Sequence, residues 1–131
     1  MHKLGEGNDD VIFTGSVYGA DKEKLLQSAF AFCLPSTIEG LAIALLEAMS
    51  YRLPIIASDI EANQEVLSEN DALWCKVEDV ESLKCAIEQS IEKKDDFVDV
   101  VERNYRKVEM HYTWDKVAEK YIEHLKSLGC K

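Results

Sequence analysis

The chain has 131 residues, which is enough for one domain with a buried core. Hydrophobic residues make up 47% of it and charged residues 31%, a globular composition that excludes a wholly disordered or fibrous chain. Acidic residues outnumber Lys and Arg by 25 to 15, which gives a net charge of −10. Without a basic patch, this balance argues against nucleic-acid binding and against attachment to an anionic membrane by charge alone.

Strand-like and helix-like segments alternate along the chain. Four short apolar or β-rich runs are predicted to be strands, at 11–14, 30–34, 54–57 and 72–76. Helices are predicted at about 22–29, 41–51, 63–67, 80–94, 97–112 and 114–125. Such alternation is typical of a parallel sheet covered by helices. We therefore predict an α/β fold, a three-layer α/β/α Rossmann-like domain with about four parallel strands and a helical tail from about residue 80.

Two further expectations concern the helices. Asp21 and Thr113 are expected to cap the N-termini of the helices that follow them. Four aromatic residues near the C-terminus could suggest base stacking, but their helical spacing and acidic surroundings favour helix packing: Tyr105, Tyr112, Trp114 and Tyr121.

The sequence gives no sign of export, membrane insertion or metal binding. No run approaches the roughly 20 apolar residues of a membrane span, and no apolar signal region follows the first residues. Cys33 and Cys75 lie in apolar runs and are expected in the core, without a disulfide framework. The histidines lack ligand-like spacing, and the acidic residues from Asp59 to Glu65 are more simply a solvated loop. We expect a cytoplasmic location and no metal.

The loop after the second predicted strand carries the most chemical information. Ligands on parallel sheets bind outside the carboxyl ends of the strands, where this loop lies. Gly40 lets the backbone approach a ligand, and the following helix offers free N–H groups and a positive dipole end to a phosphate or sugar hydroxyl. Glu39 precedes that helix, and Glu47 lies about two turns along it. Taken alone, Glu39 is also explained as a helix-capping carboxylate and Glu47 as a solvated helix residue.

The motifs around these glutamates follow a definite order: Leu34-Pro35-Ser36, Glu39-Gly40, Leu45-Leu46-Glu47-Ala48-Met49 and Leu53-Pro54-Ile55-Ile56-Ala57-Ser58. In this order they resemble the signature of the glycosyl transferases group 1 family, which is retaining, depends on nucleotide sugars and has GT-B architecture. The family pattern has two glutamates separated by seven residues, and the resemblance extends over about 4–125. The chain departs from this pattern at Leu41-Ala42, where the family often has Phe-Gly, and at Arg52, where the family usually has a glycine. If Arg52 adopts a positive φ at a helix end, it carries a conformational cost.

The resemblance implies a donor site for a UDP-, GDP- or ADP-linked sugar and no metal cofactor. Glu39 would be the catalytic carboxylate beside the donor sugar, where it suits developing oxocarbenium character. Glu47 would accept hydrogen bonds from the ribose hydroxyls, and the loop at Val17 would lie near the base. The full set of implied donor-binding residues is Val17, Tyr18, Ser36, Gly40, Leu41, Ala42 and Glu47.

The resemblance also implies that residues 1–131 form only part of a C-terminal, donor-binding domain. The acceptor-binding N-terminal domain would be missing, so we expect this chain to be inactive alone. We expect the full-length protein to be a hexosyltransferase of a polysaccharide pathway. It would work in the cytoplasm or at the inner membrane face. A truncated sheet edge would offer a dimer contact. Two alternatives stay open: a nucleotide-sugar-binding or partner-binding module without its own catalysis, and a sugar-nucleotide epimerase of similar fold.

Overall fold

A computed structural model describes residues 7–40 and 42–129. The described helices are Gly19–Ser28 (α1), Ile43–Ser50 (α2), Glu61–Val66 (α3), Val80–Glu92 (α4), Phe97–His111 (α5) and Trp114–Ser127 (α6), with a 3₁₀ turn at Lys94–Asp96. The strands are Phe32–Leu34 (β1), Ile55–Ser58 (β2) and Leu73–Cys75 (β3). Within the described ranges, no helix is long and apolar enough to cross a membrane.

The three strands form a parallel sheet in the order β1-β2-β3. Cys33 is level with Ile56, and Ile56 is level with Leu73, so these side chains share one face of the sheet. That face packs against α4 through Ala86 and Leu83. Since successive side chains alternate, Ile55 belongs to the opposite face, which packs against α2. This is the predicted three-layer α/β/α Rossmann-like arrangement.

The largest cluster of buried side chains lies between the sheet and α2. Leu45, Ala48 and Met49 on α2 are fully buried together with Ile55 on β2. Their spacing of three and four residues places them on one side of the helix. Val108 of α5 packs against the same cluster, so α5 lies in the same layer as α2.

The strand predicted at 11–14 is wrong, and the described sheet has three strands rather than four. The segment is irregular, its Val11 N–H bonds locally to Asn8 O at 3.1 Å, and Ile12 is 81% exposed. A run with high β propensity becomes a strand only beside another strand that accepts its ladder hydrogen bonds. The described sheet consists of β1, β2 and β3 and does not include residues 11–14.

Two predictions of burial are also wrong, whereas Cys75 is buried as expected. Cys33 is exposed because α4 packs over β2 and β3 and leaves this part of β1 uncovered. Trp114 and Tyr121, expected in helix packing, are 87% and 68% exposed on α6. α6 contacts α5, and its apolar side extends beyond that contact.

Local hydrogen bonds define the ends of several helices. Thr113 caps α6 as predicted, because its Oγ1 accepts from Lys116 N at 3.4 Å. Asp21 does not cap α1, which begins two residues earlier and carries Asp21 in its first turn. After α2, Arg52 adopts φ 57°, while its N–H bonds to Met49 O and that of Leu53 bonds to Ala48 O. This is the Schellman pattern, in which the left-handed position is usually glycine.

Candidate functional site

The candidate site lies at the carboxyl edge of the sheet. The loop after β1 and the start of α3 after β2 together enclose a cleft of 440 Å³. Its lining comes from two short segments, Thr37–Gly40 and Ile60–Ala62, with Glu65 on the next turn of α3. Because parallel strands place their following loops at one edge, two segments about twenty positions apart in sequence meet here. The cleft therefore lies where the strand pattern predicts ligand binding.

Glu39 is half-buried in the lining of this cleft. Its Oε1 accepts a hydrogen bond of 2.6 Å from Ser36 Oγ, three residues earlier in the same loop. An oriented carboxylate in a cleft can stabilise developing positive charge or accept hydrogen bonds from hydroxyl groups.

Ser36 is itself held from behind by the end of β2. Ser58 Oγ donates to Ser36 O at 2.5 Å and approaches Leu34 O at 3.4 Å. Asn63, on α3, donates its Nδ2 to Ser58 O at 2.9 Å. Both Ser58 and Asn63 are buried, and neither was predicted as a site residue. The signal available in the sequence was a serine at the end of an apolar run, followed five residues later by an asparagine.

Glu47 lies on α2 and is linked to α1. Its Oε1 accepts from Lys22 Nζ at 2.6 Å, and the two side chains are 37% and 39% exposed. This hydrogen bond raises the pKa of Lys22 above its ordinary value. Glu47 is therefore an accessible carboxylate with a cation beside it, and Lys22 is a third residue that the sequence did not predict for the site.

Val17 and Tyr18 line a different cavity, of 510 Å³, at the start of α1. Tyr18 immediately precedes this helix and is 78% exposed, while Val17 is half-buried. Of the predicted donor-binding residues, Val17 and Tyr18 therefore line this cavity, and Gly40 lines the cleft beside Glu39. The Lys22–Glu47 pair connects the helix that begins at the second cavity with the helix that follows the Glu39 loop.

The residues around the start of α2 have different environments. Gly40 lines the cleft, and a Cβ placed on it would meet open space. Ala42 is buried and precedes α2, where its carbonyl accepts from Leu45 N at 2.9 Å and Leu46 N at 3.2 Å. Leu41, the remaining predicted residue, lies outside the described residues.

The described residues contain no group of three or more His, Cys, Asp or Glu side chains placed to hold a metal ion. In the cleft, Glu39, Glu61 and Glu65 provide carboxylates, while exposed Ile38 adds apolar surface. This combination of hydrogen-bond acceptors and a small apolar surface suits a ligand that carries several hydroxyl groups.

Comparison with known proteins agrees with this geometry. The sequence model described as Glycosyl transferases group 1 matches residues 3–107. An uncharacterized glycosyltransferase of Methanocaldococcus jannaschii is 27% identical over 114 residues, which are 86% of this chain and 29% of that protein. The O-antigen chain mannosyltransferase of Salmonella typhimurium is 37% identical over 93 residues, which are 71% of this chain and 26% of that protein.

A solved structure shares the fold. Sucrose-phosphate synthase from Thermosynechococcus elongatus superposes with a TM-score of 0.82 at 22% identity, over 97% of this chain and 33% of that one. The chain thus spans about a quarter to a third of the length of these relatives. The family match covers most of the chain, and Glu39 lies in the loop at the carboxyl end of β1 in a parallel sheet. The chain belongs to the glycosyl transferases group 1 family.

Proposed function

We propose that residues 1–131 are part of the C-terminal, donor-binding domain of a glycosyltransferase. The donor is a nucleoside-diphosphate sugar, and the full-length protein transfers its sugar to an acceptor with retention, as a hexosyltransferase. The observation that carries this proposal is the position of Glu39, held by Ser36 in the wall of the cleft at the carboxyl edge of β1 and β2. A carboxylate in that place suits a transition state with oxocarbenium character.

The residues around Glu39 supply a consistent set of contacts for such a donor. Gly40 leaves room for the sugar and diphosphate to approach the backbone. Glu47, accessible beside Lys22, would accept from the ribose hydroxyls, while the ammonium of Lys22 adds a cation near the diphosphate. The cavity at Val17 and Tyr18 would receive the base.

The rest of the catalytic machinery would come from outside this segment. Transfer needs an acceptor positioned against the donor and further charge stabilisation of the diphosphate leaving group. The proposed role of this segment is therefore to bind the donor, and catalysis is proposed only for the full-length protein. Dimerisation through the free edge of β1 and a place at the inner membrane face belong to the same set of proposals.

The relatives differ in the sugars that their names state. One is a mannosyltransferase of the O-antigen chain, and another, from Campylobacter jejuni, transfers N-acetylgalactosamine to a diphospho-undecaprenol acceptor. A role in polysaccharide assembly is therefore proposed for this chain without assigning the sugar.

Calorimetric titration with UDP, GDP and ADP tests the donor site. We expect one nucleotide to bind, and we expect Glu47→Ala to weaken binding at least tenfold through loss of the ribose hydrogen bonds. Glu88→Ala, which removes an exposed carboxylate from α4, is the matched control and should bind like the wild type. Equal affinities for the two variants would contradict the assignment of Glu47.

Transfer by the full-length protein tests the reaction. With the donor identified by titration, Glu39→Gln should reduce kcat at least 100-fold while changing donor affinity much less, because the carboxylate acts mainly in the transition state. NMR of the product's anomeric proton would show whether configuration is retained. An inverted product would overturn the retaining mechanism.

A further inference from the structure

Behind Glu39, three other polar side chains form a connected series with it. Asn63 Nδ2 donates to Ser58 O, Ser58 Oγ donates to Ser36 O, and Ser36 Oγ donates to Glu39 Oε1. We call these four residues the Glu39 relay. Its two inner members, Ser58 and Asn63, are 1% and 0% exposed. Burying polar side chains is unfavourable unless protein hydrogen bonds replace those made to water. The burial of Ser58 and Asn63 therefore needs an explanation.

Hydrophobic packing does not explain Asn63. Its Oδ1 is buried and has no hydrogen-bond partner among the described residues, which is unfavourable in itself. What the side chain contributes is its Nδ2, which bonds to the last residue of β2. Ser58 then bonds across to the loop that follows β1. The two residues therefore connect α3 and the end of β2 with the Glu39 loop, and α3 and this loop line the cleft.

We propose that Ser58 and Asn63 are positioning residues that hold Ser36 in place and thereby orient the Glu39 carboxylate in the cleft. This inference rests on the proposed donor site, because the consequence of orientation is contact with the donor sugar. Neither residue touches the donor itself. Ser58 acts through the backbone carbonyl of Ser36, and Ser36 acts through its hydroxyl, so loss of either bond releases the carboxylate without removing it.

The chain offers matched controls for both inner residues. Ser90 is 2% exposed and bonds through its Oγ to Ile87 O at 2.6 Å, within α4 and away from the Glu39 loop. Asn104 is 1% exposed, donates Nδ2 to Asp71 O at 2.8 Å, and also has an Oδ1 without a described partner. Substitution to Ala at these positions removes the same chemistry from an equally buried place outside the relay.

The first experiment measures the backbone mobility of the Glu39 loop and needs no ligand. Backbone ¹⁵N relaxation of Thr37–Gly40 is compared among the wild type, Ser58→Ala and Ser90→Ala. In Ser58→Ala we expect the order parameters of this loop to fall toward those of flexible backbone, which lie below about 0.6. In Ser90→Ala we expect them to keep their wild-type values. Asn63→Ala and Asn104→Ala should differ in the same way.

A second variant covers the case in which Ser58→Ala does not fold. Ser36→Ala removes only the last hydroxyl of the relay, and Ser36 is partly exposed, so the core stays intact. Unchanged order parameters at Gly40 and its neighbours in every relay variant that folds would overturn the proposal, whatever the chain binds.

The second experiment separates orientation from general damage. Affinities are measured by calorimetry for UDP-glucose and UDP, GDP-mannose and GDP, and ADP-glucose and ADP. In Ser58→Ala we expect the nucleotide alone to bind within twofold of the wild type, while the extra affinity contributed by the sugar falls at least fivefold. Ser90→Ala should keep both affinities, and a structural defect would weaken nucleotide and nucleotide sugar together.

Each outcome decides a different claim. A loosened loop with an unchanged sugar contribution would overturn the role in orientation, and a loosened loop with a reduced contribution would support it. If the wild type binds none of these nucleotides, the proposed donor site fails, and the relaxation data alone decide whether the relay holds Ser36 and Glu39.

Discussion

Two regions of the molecule use a buried asparagine in the same way but treat charge differently. In the Glu39 relay, neutral groups lead to a carboxylate that receives one described hydrogen bond, from Ser36. The second region, which we call the Asp71 anchor, consists of Asp71, Arg103, Asn104 and Lys107. Asp71 is buried, and its carboxylate accepts from Lys107 at 2.6 Å and from Arg103 at 3.1 Å.

The difference shows how one fold separates a structural carboxylate from an available one. In the Asp71 anchor, cations from α5 neutralise the charge and attach this helix to the turn before β3. In the Glu39 relay, the described donor to the carboxylate is the neutral Ser36 hydroxyl, and we propose that this leaves the carboxylate available to a ligand. A buried ion pair suits anchoring because removing one partner leaves an uncompensated charge.

The largest effect on stability should come from Asp71→Asn. We expect the free energy of unfolding at pH 7 to fall by about 2 kcal/mol, less than for fully buried pairs because Arg103 is half-exposed. Urea unfolding measures the loss, and Asp99→Asn, an exposed change on α5, is the control. A loss no larger than that of Asp99→Asn would remove the contrast between the two regions.

The same variant should change how stability depends on pH. Burial by itself raises the pKa of Asp71, but hydrogen bonds from Lys107, the Ser68 N–H and Arg103 outweigh it and lower the pKa from 3.8 to about 2. A carboxyl with a lowered folded-state pKa stabilises the protein above its unfolded pKa and loses that contribution as pH falls through the folded pKa. The wild type should therefore lose its advantage over Asp71→Asn between about pH 4 and 2.

An intermediate effect is expected at two residues with the same unusual backbone. Arg52 follows α2 and Glu78 lies in the loop after β3, and both residues have φ 57°. Left-handed backbone costs an L-residue about 1–2 kcal/mol, part of which glycine loses again as chain entropy. We expect Glu78→Gly to raise the free energy of unfolding by about 0.5–1 kcal/mol.

Arg52→Gly should gain less than Glu78→Gly, because Arg52 has contacts to lose. Its Nε donates to Glu102 at 2.8 Å, and its guanidinium lies 3.6 Å from the ring centroid of Tyr105. These contacts offset part of the strain. Urea melts of both glycine variants measure the difference, and an equal gain would mean that the arginine contacts contribute nothing.

The smallest effect on stability should come from Lys22→Gln. This variant tests whether Glu47 is an available carboxylate, as proposed for Glu39, or is held in a structural ion pair, as Asp71 is. Both partners of the Lys22–Glu47 pair are more than a third exposed, so we expect only a slight loss of stability that disappears in 1 M NaCl. Lys116→Gln, which breaks the exposed pair with Glu119, is the control. A loss clearly larger than that of Lys116→Gln and unaffected by salt would class Glu47 with the structural carboxylates.

Much of the fold could be predicted because its signals are local. The strands around Cys33, Ile56 and Trp74 are short apolar runs bounded by loops, and the amphipathic pattern of α4 lies within 13 residues. The run at 11–14 shows the limit of this reasoning, since β propensity describes one segment whereas a ladder requires two. The exposure of Cys33 likewise depended on how far α4 extends across the sheet.

The sequence by itself determined the α/β class, the loop that carries Glu39 and the family motif, because each depends on residues close together in the chain. Only the tertiary structure decided what surrounds that motif. Ser58 meets Ser36 across 22 positions and Lys22 meets Glu47 across 25. These partners come together when β1 pairs with β2 and α1 approaches α2, and a linear pattern does not contain that geometry.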